Sequence, residues 1–117
     1  MDDKGEKYML QGKLCVITGA LKEPGERVAG MFAARKCNIA FMDMDKESGK
    51  RLKKVLMEQY GIEVFFFHGD IRSEEDRDLF AGYVTEQYGG ADYFVYNTEM
   101  VSKIFDWKKE ACFLIAT

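Results

Sequence analysis

The fold of this chain is decided by residues 16–30, which read VITGALKEPGERVAG. An apolar run ends at Thr18, Gly19 follows it directly, and Gly25 opens a segment with helical periodicity. A strand that enters a helix through such a loop points free backbone N–H groups at whatever lies in front of the helix, and a phosphate fits there well. The two glycines therefore have two possible interpretations. They could form a phosphate site, or they could be required only by the turn, since glycine in a strand-to-helix turn is common for steric reasons alone.

The same alternation continues through the rest of the chain. Short apolar runs predict strands over residues 13–18, 38–43, 62–68 and 92–97. Longer amphipathic segments predict helices over residues 25–36, 46–60, 73–88 and 104–117. The strand runs are continuously apolar, which is typical of parallel strands that are covered on both faces. Right-handed crossovers then make the chain one doubly wound α/β domain over residues 1–117.

Composition and charge narrow the class of protein. With 117 residues, 47% hydrophobic and 32% charged, the chain predicts one small globular domain. The net charge of −3 argues against a nucleic-acid partner, and the basic cluster over residues 46–54, KESGKRLKK, is typical of a solvated helix face. The polar N-terminus and the lack of a long apolar run predict neither a signal peptide nor a membrane partner.

The cysteines indicate a reducing compartment. Cys15, Cys37 and Cys112 are an odd number with no CxxC spacing, and each lies among apolar residues. Buried, reduced thiols are the expected state, and they fit a cytoplasmic protein.

Four further positions lie at or just after the ends of predicted strands, where ligands bind in sheets of this kind. Asp43 could accept hydrogen bonds from both hydroxyls of an adenosine ribose and would repel a 2′-phosphate, which favours NAD over NADP. It could also be a helix cap or a surface acid, although Asp45 is the better cap. Asp70 could bond an adenine edge that Ile71 covers, or it could be a turn residue. The Asn97 amide could brace neighbouring backbone.

No catalytic residue and no metal ligand is predicted. His68 is the one histidine of the sequence, and it ends a predicted core strand. No nucleophile or metal-ligand pattern accompanies it, so we interpret His68 as structural.

The chain resembles the N-terminal, cofactor-binding half of a short-chain dehydrogenase/reductase. The matching runs are LQGKLCVITGA (10–20), NIAFMDMDKESGKRL (38–52), VFFFHGDI (64–71) and GGADYFVYN (89–97). The resemblance implies a Rossmann-like three-layer α/β/α domain with strand order 3-2-1-4. It also implies a set of cofactor-binding positions: Thr18, Gly19, Gly25, Asp43, Asp70, Ile71 and Asn97.

Two loops depart from that family. The phosphate loop of the family reads TGxxxGxG, but here its middle glycine is Glu23, followed by Pro24. A carboxylate beside a pyrophosphate would cost on the order of 1–3 kcal/mol, so NAD binding is expected to be weak or lost unless Lys22 or Arg27 offsets the charge. After the fourth strand, the NNAG of the family is replaced by residues 96–99, YNTE, in which Glu99 would crowd the cleft.

The catalytic serine and the Tyr-x-x-x-Lys pair of the family have no counterpart, because no tyrosine here has a lysine four residues later. We therefore expect a truncated domain whose fourth strand, 92–97, lies at the sheet edge. An apolar edge predicts a homo-oligomer, most simply a dimer, that associates through residues 92–97 or 104–117.

Three functions remain open at this point. The chain could be an NAD-dependent oxidoreductase relative that is active only with parts from another chain. It could be a non-catalytic oligomerisation or interaction module. It could also be a folded gene fragment without cofactor binding. An adjacent reading frame that encodes the Tyr-x-x-x-Lys half would favour the first.

Overall fold

The computed structural model of the protein describes residues 9–21, 23, 25–97 and 112–116. These residues form five strands and three helices in strict alternation up to the fourth strand. In chain order the elements are β1 (Leu14–Ile17), α1 (Gly25–Ala34), β2 (Asn38–Asp43), α2 (Lys46–Tyr60), β3 (Val64–His68), α3 (Glu74–Tyr88), β4 (Tyr93–Asn97) and β5 (Cys112–Ala116).

All strands belong to one parallel sheet with the order β3-β2-β1-β4-β5. The predicted order 3-2-1-4 is confirmed, and β1 lies at the centre with β2 and β4 on its two sides. A crossover helix leads to each of β2, β3 and β4, which a parallel pair requires because its strands start at the same end.

Two predictions about the last strands are wrong. β4 is not an edge strand, because β5 pairs with it in parallel from Tyr93 beside Cys112 to Asn97 beside Ala116. The helix predicted over 104–117 is therefore a strand over Cys112–Ala116. Five apolar residues in a row suit a buried strand as well as one turn of a helix, and pairing with β4 selects the strand. Residues 104–111 and 117 of that predicted helix lie outside the described residues.

The sheet is covered on both faces, as a three-layer domain requires. Alternate residues of β1 point to opposite sides: Cys15 and Ile17 pack in one apolar cluster, and Leu14 and Val16 pack in another. The first cluster takes buried residues from α1 and α2, and the second takes them from α3. The Rossmann-like α/β/α architecture is thus confirmed.

The ends of α2 and α3 are fixed by local chemistry. Asp45 caps α2 by accepting a hydrogen bond from the Ser48 N–H at 3.1 Å, and Ser73 does the same for α3 with the Asp76 N–H at 3.2 Å. Gly61 and Gly89 end the two helices in the left-handed conformation, with φ of 68° and 74°. α2 and α3 therefore begin soon after β2 and β3, at the carboxyl edge of the sheet.

The pairing of β1 with β4 joins distant parts of the chain. The Leu14 N–H donates to Asp92 Oδ2 at 2.9 Å, and the Asp92 N–H returns a bond to the Leu14 carbonyl oxygen at 2.9 Å. At the other end of the strand, the Thr18 N–H donates to the Val95 carbonyl oxygen at 2.9 Å. Both ends of the central strand are thereby tied to β4.

Candidate functional site

The carboxyl edge of the sheet gathers the residues that the sequence singled out. Thr18 follows β1, Asp43 ends β2, Asp70 follows β3, and Asn97 ends β4. In a parallel sheet these positions share one edge, and Gly19 and Gly25 belong to the loop that crosses it. The structure therefore places the predicted cofactor-binding positions on one side of the domain.

The loop after β1 is held against the start of α1. A side chain at Gly25 would overlap the Gly19 carbonyl oxygen and would lie 3.1 Å from Ala20 Cα. Gly19 itself has a φ of +69°, a conformation that residues with side chains rarely adopt. The path of the backbone thus requires both glycines. The same path brings the N-terminus of α1 next to the loop.

Glu23 lies in this loop with its side chain 60% exposed. Its Oε1 is 3.5 Å from Nη2 of Arg27, one helical turn later, so the guanidinium lies where it partly offsets the carboxylate. The prediction that Arg27 could do so is confirmed as a contact, although an exposed pair of this kind contributes little free energy. Lys22 and Pro24 lie outside the described residues.

Asp43 has one carboxylate oxygen engaged and one available. Oδ1 accepts a hydrogen bond from the Asp45 N–H at 2.8 Å. Within the described part of the chain, Oδ2 has no hydrogen-bond partner. Asp45, not Asp43, caps α2, as predicted, and hydrogen bonds from Ser48 hold the pKa of Asp45 below its ordinary value. Asp43 is therefore left with an acceptor for another molecule.

A cavity of about 460 Å³ opens beside Asp43, between the loop after β1 and the first turns of α2. Its wall combines acids, a guanidinium, a hydroxyl and apolar side chains: Leu21, Glu26, Asp43, Asp45, Ser48, Arg51, Leu52 and Val55. The four residues from α2 are spaced i, i+3, i+4 and i+7 and so lie on one helix face. The cavity is large enough for a nucleoside.

Sequence reasoning missed most of this wall. Arg51 belongs to the basic cluster that was interpreted as a solvated face, yet it lines the cavity together with Ser48. The available signal was the spacing from Ser48, because Arg51 and the buried Leu52 follow it by three and four residues on the same helix. Glu26 could also have been predicted as a residue of this wall, because it directly follows Gly25 at the loop after β1.

Asp70 behaves as a turn residue. Its Oδ1 accepts hydrogen bonds from the Arg72 N–H at 2.9 Å and from Arg72 Nε at 3.1 Å, and Oδ2 accepts one from the same guanidinium at 3.2 Å. Arg72 thereby lowers the pKa of Asp70. Ile71 packs against the α3 side of the core. Both oxygens of Asp70 have donors, so contact with an adenine stays a prediction.

His68 does not lie in the core, and that part of its interpretation is wrong. It ends the edge strand β3, its side chain is exposed, and its Nε2 donates to the Met44 carbonyl oxygen at 3.0 Å. The bond fastens the turn after β2 to β3, which is a structural role. Among the residues that the structure describes, no group of three histidine, cysteine or acidic side chains could hold a metal ion.

The end of β4 is described less fully. Asn97 is its last residue and pairs with Ala116 of β5, so its backbone reaches the same edge as Asp43. Thr98 and Glu99, which stand where the family has other residues, lie outside the described residues. No helix among the described ranges is long and apolar enough to cross a membrane.

Comparison with known proteins gives one consistent family. The family model for the short chain dehydrogenase matches residues 13–112. An uncharacterized oxidoreductase from Thermotoga maritima is 31% identical over 94 residues, which are 80% of this chain and 36% of that protein. The chain spans about a third of the length of the curated relatives it matches.

Solved structures agree with this assignment. L-sorbose reductase from Gluconobacter frateurii, complexed with NADPH and L-sorbose, is 28% identical with a TM-score of 0.69, over 74% of this chain and 33% of that one. NAD+-bound xylitol dehydrogenase is also 28% identical, with a TM-score of 0.68 over the same shares of the two chains. The chain belongs to the short-chain dehydrogenase family.

Proposed function

We propose that this chain is the cofactor-side portion of an NAD-linked oxidoreductase. One observation carries the proposal: Asp43 ends β2 with a carboxylate oxygen available and forms part of the wall of a nucleoside-sized cavity. A carboxylate at the end of this strand is placed to accept hydrogen bonds from the hydroxyls of an adenosine ribose. NAD, when bound, would supply the hydride-carrying chemistry.

The preference for NAD over NADP follows from charge. A 2′-phosphate at Asp43 would lie beside this carboxylate and close to Asp45 and Glu26, which line the same cavity. Arg51 is the one cationic side chain among the described lining residues. Repulsion from three acids exceeds attraction by one guanidinium, so we expect NADPH to bind more weakly than NADH.

The residues do not fit the whole cofactor equally well. Asp43 suits the ribose, but Glu23 stands in the loop that would hold the pyrophosphate, and its negative charge opposes that group. We therefore propose weak NAD binding. The proposal also assigns no catalytic acid or base to this chain, because no tyrosine in it is followed by a lysine four residues later. Turnover would then need residues from another source.

The experiment is a calorimetric titration of the chain with NADH and NADPH, repeated on Glu23→Gly. We expect weak NADH binding to the wild-type chain and NADH binding up to about a hundredfold stronger in the variant. Micromolar NADH binding by the wild type would contradict the effect of Glu23. No NADH binding by either protein would contradict the cofactor assignment itself.

A second role, self-association, is favoured by the edge of the sheet. β5 lies at one edge of the described sheet, and its residues, CFLIA, carry no charge. Such an edge offers backbone donors and acceptors to another strand. We propose a two-fold dimer through β5, which lies within 104–117, the second of the two segments that the sequence predicted for association. Sedimentation velocity should give a dimer that Leu114→Lys dissociates while the circular dichroism spectrum is retained. A monomeric wild type at micromolar concentration would refute the dimer.

A further inference from the structure

The cavity beside Asp43 has an unusual balance of charge for a nucleotide site. Its wall contains the carboxylates of Glu26, Asp43 and Asp45 and the guanidinium of Arg51. Nucleotide phosphates are anions and are normally met by backbone N–H groups and cations. Here the side chains around the cavity favour a neutral ligand over an anionic one.

The single guanidinium in this wall is already influenced by an acid. The pKa of Asp45 is lowered mainly by hydrogen bonds from Ser48, and the charge of Arg51 adds a smaller contribution in the same direction. Glu26 and Oδ2 of Asp43, by contrast, have no hydrogen-bond or ion-pair partner in the described ranges. The polar groups left available are therefore acceptors, and acceptors suit the hydroxyl groups of a sugar.

The rest of the wall suits a flat apolar group. Leu21 comes from the loop after β1, and Leu52 and Val55 come from α2. Val55 is 45% exposed, so an aromatic ring laid against it would bury surface that is now open to water. Sugar-binding acceptors and an apolar wall in one cavity match the two halves of a nucleoside.

The N-terminus of α1 offers less to a phosphate than its position suggests. A helix start attracts anions through its free N–H groups and the positive end of its dipole. In this chain, Glu23 lies in the preceding loop and Glu26 lies in the first turn of the helix. These two carboxylates already complement the positive end, so an added phosphate meets a site that holds negative charge.

We propose that this cavity selects an uncharged ribonucleoside over the corresponding nucleotides, with Glu26 as the specificity-determining residue. The proposal rests on the proposed position of a ribose at Asp43. It goes beyond that position because it reverses the usual contribution of phosphate: each phosphate added to the ligand lowers its affinity.

The test uses adenosine, 5′-AMP and ADP as probes, titrated into the full chain at low ionic strength with calorimetric detection. We expect adenosine to bind most tightly and each phosphate to weaken binding about three- to tenfold. In Glu26→Gln this difference should shrink, while Glu58→Gln, the same change at an exposed position of α2 outside the cavity, should leave it unchanged. Asp43→Asn should weaken adenosine binding.

Two results would overturn the inference: tighter binding of ADP than of adenosine, or no adenosine binding up to millimolar concentration. An equal difference in Glu26→Gln and Glu58→Gln would overturn the role of Glu26. A further check uses the wild-type chain alone. Salt at about 0.5 M should reduce the difference in affinity between adenosine and ADP, since it screens exposed charges.

The inference and the proposed function fail in different ways. If adenosine binds with the expected order and NADH binds neither the wild type nor Glu23→Gly, the proposed function fails and the inference stands. If NADH binds the wild type more tightly than adenosine does, the inference fails and the proposed function stands.

Discussion

Glu23 and Arg27 form an ion pair across one turn at the start of α1, with Oε1 and Nη2 3.5 Å apart. The Arg27 side chain is 72% exposed, so the pair is well hydrated and adds little to stability. The pair matters for the electrostatic potential of the loop, because Arg27 is the cation beside the carboxylate that we propose opposes a phosphate.

Arg27→Gln should weaken NADH binding about threefold, because it leaves Glu23 without its neutralising partner. The free energy of unfolding should change by less than about 0.5 kcal/mol, as for other exposed pairs. Calorimetry and urea unfolding measure the two quantities. In the Glu23→Gln background the Arg27 substitution should lose most of its effect, and an equal effect in both backgrounds would show that Arg27 acts on the ligand directly.

Gly25→Ala should destabilise the protein by about 2–3 kcal/mol, because the new methyl group overlaps the Gly19 carbonyl oxygen and forces the loop away from α1. Urea unfolding at neutral pH measures this loss. The matched control is Gly82→Ala in α3, where a side chain meets no atom within 4 Å. That control should gain about 0.5–1 kcal/mol from helix propensity. Equal losses at both glycines would contradict the close approach at Gly25.

The Asp45 cap makes stability depend on pH. Hydrogen bonds from Ser48 lower the pKa of Asp45 in the folded state, so its contribution is present above about pH 4, the unfolded value, and is lost as pH falls through the lower folded value. Asp45→Asn retains a capping oxygen but cannot titrate. The urea midpoint of Asp45→Asn should therefore fall less than that of the wild type between pH 5 and pH 3. Identical acid profiles would argue against the cap.

The thiols of Cys15 and Cys37 should be inert in the native protein. Burial, with a smaller contribution from Asp92, raises the pKa of Cys37 to about 12, and burial also raises the pKa of Cys15. Ellman's reagent at pH 8 should label neither thiol until denaturant is added, because the thiolate is the reactive form. Cys112→Ser restricts the assay to these two residues. Rapid labelling of that folded variant would show that they are accessible.

Most of the sheet could be predicted from sequence because its signals are local. The continuous apolar runs at β1, β2 and β4 and the glycine at the end of α2 each have one favourable structure. β5 could not be predicted, because CFLIA fits a helix face or a strand equally well and only β4, some fifteen residues earlier, decides between them. His68 was misplaced for a similar reason, since strand ends at a sheet edge lack a neighbour to bury them.

The candidate site, like the sheet, could be predicted from sequence only in part. Asp43 could be found because the end of the second strand in a doubly wound sheet is a defined position. The engagement of Asp70 by Arg72 depends on side-chain conformations that spacing does not reveal. The cavity wall from α2 required knowledge of which helix face turns toward the loop after β1. Sequence therefore locates the candidate site, and packing decides which other side chains line it.

The central position of β1 has a consequence for how the chain acquires its structure. Its bonds to Asp92 join residues 78 positions apart, whereas β2 and β3 follow β1 within the first 68 residues. A ribosome releases the chain from its N-terminus, so β1, β2 and β3 are available for pairing well before β4. Until β4 is complete, the nascent sheet leaves the most buried strand of the finished protein open along one side, and this is the interval in which we expect the chain to need protection by a chaperone.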